Sequence, residues 1–198
     1  MKKSRKNEYH LYLQWPRYLA QWYAHEMYRL QHFEDEHLEP FSYNCDVEVM
    51  DLQPVETRRG SLERNVLEMF LCKRPSDYVE RPDPNSTICI VIPSFVSKPP
   101  QTYNYLSPSA AALLQQTVHN HFRVELFKYV RKFTGVTVDR QGVPITTESI
   151  INAFMENNGI EDNETNMFAI RQVWQRLSNN KRVSDCRKRK KNYENTGS

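Results

Sequence analysis

At 198 residues, 39% apolar and 26% charged, the chain can bury a sizeable core and is too apolar to be disordered throughout. Its formal charge of +3 is unevenly placed: residues 1–6 carry +4 and residues 181–198 carry +5, which leaves −6 over residues 7–180. An acidic body with basic ends resists being wrapped by a polyanion, so contact with nucleic acid or an anionic surface is expected to be local and end-on.

Other function classes recede on composition. No stretch reaches the roughly 18 consecutive apolar residues of a membrane-spanning helix. Met1 is followed at once by charge, so no secretory signal is expected. Cys45, Cys72, Cys89 and Cys186 form no C-x-x-C pair. Reduced thiols are therefore predicted, with a cytoplasmic location, or a nuclear one in a eukaryotic host. Cys72 and Cys89 lie in apolar stretches and are predicted to be small core residues.

In chain order, Pro16 suits the first position of a helix over 16–33, in which Leu19, Trp22, Tyr23, Met27, Leu30 and Phe33 recur at helical spacing. Glu34, Asp35 and Glu36 follow, a sign that favours fraying at a helix C-terminus. Alternation at Val47 and Val49 suggests a short strand within 44–56. Ser61 is placed to cap a helix that ends before Pro75 and carries Leu62, Val66, Met69 and Phe70 on one face. After a polar loop over 75–86, the continuous apolar run 88–92 reads as a central strand buried on both faces. Pro93, Pro99 and Pro100 stiffen the next connection. Ser107 and Pro108 then open the longest helix, through Lys132, with Leu114, Val118, Phe122, Leu126 and Val130 in one row. Residues 136–143 resemble a small hairpin whose second strand Pro144 keeps short.

A further helix is capped by Thr146 or Thr147 and stopped by Asn158-Gly159, and a last one starts at Asn163 or Thr165 and runs to Ser178. The predicted fold class is α+β and helix-rich, with amphipathic helices around a small sheet. It divides into a body over 1–135, a helix pair over 145–180 and a basic tail over 181–198, with the module boundary near 135–145. The tail has too little to bury and is expected to be disordered when free.

The helix pair resembles a DNA-binding helix-turn-helix, with Gly159 as the turn glycine and Phe154, Ile160 and Phe168 at packing positions. Met155 and Asn158 depart from that pattern, where a small and an apolar residue are usual. An αα-hairpin that only closes the domain is the competing reading. Arg171 and Arg176 on the last helix run into Lys181, Arg182, Arg187, Lys188, Arg189, Lys190 and Lys191, and these nine residues are the candidate nucleic-acid contacts. Arg187–Lys191 also fits a nuclear-localisation patch. A second candidate, for an anion, is Arg58 and Arg59 before the cap Ser61, where guanidinium groups meet free helix-start N–H groups.

Eight of the 23 aromatic residues fall between Tyr9 and Phe33. They read either as core or as an interface for a protein partner or a second copy of the chain. Catalytic and metal patterns are poor. His25-Glu26 starts a zinc-protease-like pattern, but Arg29 stands where its second histidine belongs. His119 and His121 diverge by about 200° on a helix. No phosphate-binding glycine loop, dinucleotide fingerprint or serine-hydrolase elbow occurs. No cofactor or metal is expected. The leading expectation is a nucleic-acid-associated accessory protein; the alternative is a non-enzymatic interaction protein using the aromatic helix.

Overall fold

The structure, a computed structural model, describes residues 9–33, 41–75, 82–133 and 144–195 with Val136, Val138 and Gly142, and side chains as far as Asn179. Contacts gather the chain into two compact units, Met1–Phe122 with Asn157–Glu161 and Arg123–Glu156 with Asp162–Ser198. It is a helix-rich α+β fold with five helices and a three-stranded sheet among the described residues.

In the first unit, β1 (His10–Leu13), β2 (Pro54–Val55) and β3 (Ile88–Val91) form a sheet in the order β1-β3-β2. β1 pairs antiparallel to β3 with Leu11 opposite Ile90, and β2 pairs parallel with Val55 opposite Ile90. The apolar run read as a central strand is β3, and Ile88, Cys89 and Ile90 are buried. Thr87 Oγ1 accepts the Trp15 N–H at 2.8 Å and donates to the Trp15 carbonyl at 2.8 Å, tying the exit of β1 to the entry of β3.

Helix α1 (Arg17–Gln31) opens on the Pro16 carbonyl, which accepts from the N–H groups of Leu19 and Ala20. Tyr18, Trp22 and Tyr23 of its aromatic stripe are core, whereas Phe33, expected on the same stripe, lies beyond the helix and is 77% exposed. Trp22 and Tyr18 meet Phe122 at 5.4 and 5.2 Å between ring centroids, and Trp15 meets Tyr23 edge-on at 5.6 Å.

Two segments depart from the periodicity. Residues 44–56 hold a 3-10 turn, Val49–Asp51, and only the two-residue β2. Asn44 Oδ1 accepts the Asp46 N–H at 2.8 Å, a local turn that competes with strand pairing, and Val47 is exposed. Helix α2 (Leu62–Phe70) is capped by Ser61 as its sequence implies, Oγ accepting from the Arg64 N–H. Its buried face is the other one, however. Leu62 is 69% and Met69 70% exposed, while Glu63 and Leu67 are buried. Cys72 is likewise exposed rather than core, in a bridge with Tyr105.

Helix α3 (Pro108–Lys132) is opened by Ser107, whose Oγ accepts the Ala110 N–H, and the whole row from Leu114 to Val130 is buried. In the second unit, α4 (Thr147–Asn157) begins on a reciprocal cap between Thr146 and Ser149. Asn163 Oδ1 caps α5 (Glu164–Asn195) by accepting from the Asn166 N–H. Tyr129 meets Phe154 edge-on at 5.3 Å, and Ile151, Met155, Ile170 and Val173 complete the buried set. Apolar periodicity ends near Ser178, but α5 continues as helix to Asn195; lysine and arginine are good helix formers. Of the expected hairpin, the described residues show one antiparallel bridge, Val138 with Pro144. The acidic run 34–36 and residues 76–81 of the 75–86 loop lie outside the described residues. Among the described residues, no helix is long and apolar enough to cross a membrane.

Candidate functional site

Asn158-Gly159 stops α4 as its sequence implies, with Gly159 at φ +62 in the left-handed region. The turn is built into the first unit. Ile160 is buried, whereas Phe168, expected at a packing position, is 64% exposed, and the Glu161 N–H donates to Gln21 Oε1 at 3.2 Å. A Cβ on Gly159 would lie 2.7 Å from the His25 ring and 2.8 Å from the Phe41 carbonyl oxygen, so glycine is required on two independent grounds.

Glu161, Asp162 and Glu164 are exposed at the entry to α5. Acids there complement the helix dipole but repel phosphate. A recognition helix reads base edges with its N-terminal residues, so this end of α5 is electrostatically unsuited to a DNA groove. Of the candidate contacts, Arg171 pairs with Glu148 across α4 and α5 within the second unit. Arg176 is exposed and has no ion-pair partner among the described residues. Lys181, Arg182 and Arg187–Lys191 fall on the helical backbone of α5, and their side chains lie outside the described residues.

The second candidate, Arg58, Arg59 and Ser61, is partly brought together. Arg58 and Arg59 line a cavity of about 480 Å³, whereas Ser61 does not and is occupied as the α2 cap. Arg64 and Thr57 line it as well, together with the apolar residues Met27, Leu30, Ile92 and Pro93. Arg64 also lies over the Phe95 ring, 5.3 Å from its centroid. Thr57 is 6% exposed, and its Oγ1 is buried without a hydrogen-bond partner among the described residues. A hydroxyl left so costs about 1–3 kcal/mol. Arg58 and Arg59 form no ion pair among the described residues, and one carboxylate, Glu56, stands in the lining.

Next to this, Glu63 is buried with its Oε1 3.6 Å from His121 Nδ1, within ion-pair range but long for a hydrogen bond. Burial pushes its carboxyl up. The imidazole of His121 beside it, with hydrogen bonds from its own backbone and Ser61, outweighs this and holds it below the usual carboxylate range. His25 is held below the usual imidazole range, chiefly by burial. Burial pushes the Cys45 and Cys89 thiols up to about 11, which leaves them poor nucleophiles at neutral pH. Among the described residues no three histidine, cysteine or acidic side chains are grouped to hold a metal ion.

Comparison with known proteins finds no matching family model, curated protein or solved structure. Sequence reasoning missed Thr57 and Arg64 as cavity residues. The only signal for Arg64 was its place three residues after Ser61, and for Thr57 there was none, because its role depends on burial.

Proposed function

We propose that the chain is a nucleic-acid-associated accessory protein that makes its contact through the basic C-terminal half of α5. The observation that carries this reading is the charge of residues 181–191, seven lysines and arginines against Asp185 alone, on a helix whose entry is acidic. Those residues span roughly 15 Å of helix axis, while duplex DNA carries about one charge per 1.7 Å of its own axis. Several phosphates are thus within reach at once, and counterion release supplies affinity without base contacts. Docking of the helix pair into a groove is the stronger form of the proposal. It has the acids at 161, 162 and 164 and the Arg171–Glu148 pair against it.

The test is fluorescence anisotropy with labelled duplex and single-stranded oligonucleotides. Replacing Arg187–Lys191 by glutamine is expected to remove most of the affinity, while Arg171→Ala and Arg176→Ala leave it nearly unchanged. Loss on either single substitution, with the tail intact, would establish docking by the helix pair. Full affinity in the glutamine variant would refute contact through the tail.

A further inference from the structure

The cavity beside the loop after β2 carries a recognition chemistry separate from that of the tail. Its lining includes three arginines, Arg58, Arg59 and Arg64, against one acidic residue, Glu56, a net formal charge of +2, with the Arg64 guanidinium lying over the Phe95 ring. Neither Arg58 nor Arg59 is neutralised by an ion pair among the described residues. The lining thus joins net positive charge to apolar residues, a composition suited to an anionic ligand with an apolar body.

We propose that this cavity binds a small phosphate monoester with an apolar or aromatic body, no larger than a mononucleotide. Charge selects the anion: a phosphate monoester carries about −1.5 to −2 at neutral pH and balances the lining, whereas a monocarboxylate leaves one guanidinium uncompensated. Geometry of the donors agrees, because the planar guanidinium fork matches phosphate oxygens in pairs. Thr57 also lines this space, but its hydroxyl is sealed beneath the surface, without a hydrogen-bond partner among the described residues, and does not face the ligand. The volume selects the body. About 480 Å³ lies within the range of small-molecule sites, roughly 300–1,000 Å³, and is far larger than inorganic phosphate fills. Met27, Leu30, Ile92 and Pro93 give the remainder of the ligand an apolar surface, and Gln31 and Glu56 add polar groups to orient it.

Isothermal titration of the full chain with phenyl phosphate, inorganic phosphate and benzoate, at about 150 mM salt to screen the tail, tests this. Phenyl phosphate is expected to bind one to one and about tenfold or more tighter than either other probe. The double variant Arg58→Ala/Arg59→Ala is expected to lose about tenfold or more. A variant with Lys188, Arg189, Lys190 and Lys191 replaced by glutamine is expected to bind phenyl phosphate as the parent does, which separates the cavity from the tail. Near saturation, a ligand at about a hundredfold its dissociation constant should raise the melting temperature by roughly 5–10 °C. Equal binding of phenyl phosphate and inorganic phosphate would overturn the proposal. So would unchanged affinity in the double arginine variant, or loss of affinity in the tail variant.

Discussion

Gly159→Ala probes whether the turn between α4 and α5 is built into the first unit or is a free connection. At φ +62 the added Cβ meets the following carbonyl, which costs about 1–2 kcal/mol. The same Cβ would stand 2.7 Å from His25 Cδ2 and 2.8 Å from the Phe41 carbonyl oxygen. The imidazole can swing aside, but the carbonyl belongs to the backbone, and forcing such contacts costs a further 1–3 kcal/mol or so. The expected loss is therefore about 2–5 kcal/mol. Gly60→Ala isolates the conformational part, because Gly60 has φ +77 and nothing within 4 Å of its would-be Cβ. Its expected loss is about 1 kcal/mol, lessened by the stiffer unfolded chain. Urea denaturation, followed by Trp15 and Trp22 emission in a Trp174→Phe background, reads the first unit, where both rings are buried. Equal midpoints for the two alanine variants would refute the packing assigned to the turn.

Three further outcomes are expected. Trp22→Ala should cost about 3–5 kcal/mol in a denaturant melt, because the ring is core rather than interface; parental stability would contradict its burial. Leu67→Ala should cost about 2–5 kcal/mol, whereas Met69→Ala, 70% exposed, should stay within about 0.5 kcal/mol of the parent; the reverse order would restore the face suggested by periodicity. For Glu63, a carboxyl held below its unfolded value binds fewer protons when folded. Its stabilisation is fully present above the ordinary carboxylate range and is lost as pH falls through the depressed folded value. Melting temperatures between pH 7 and 3 should therefore fall less steeply below about pH 4.5 in Glu63→Gln, and an unchanged slope would mean that the buried carboxyl is not linked to folding.

The long elements were legible because a single physical signal dominated each. β3 announces itself by an apolar run too short for a helix, and α3 by an unbroken row that the fold buries end to end. Caps at Ser61 and Ser107 were legible for the same reason, since a hydroxyl before a helix has a local partner. α2 shows the opposite case. Four apolar residues pointed to one face, but Glu63 goes inward because His121, 58 positions later, meets it. No window of sequence holds that partner. β1 was missed because its pairing with β3 is made across the fold, and four residues of mixed polarity give no clear alternation. Half of the candidate anion site was visible as Arg58 and Arg59. Arg64, Thr57 and the apolar residues join it only through tertiary contact, and Ser61 leaves it because its hydroxyl is already used.

Nucleic-acid contact, as proposed, is electrostatic and carried by the basic end of α5. Measuring affinity for a labelled duplex across salt concentrations tests it most directly, since each neutralised phosphate contributes about −0.9 to the slope of log affinity against log salt. If about five of the seven basic residues at 181–191 meet phosphates, the expected slope is about −4 to −5, falling to about −2 or shallower when residues 187–191 are glutamine, since only Lys181 and Arg182 then remain. No measurable binding to duplex or single strand at about 50 mM salt, where attraction is least screened, would contradict the account.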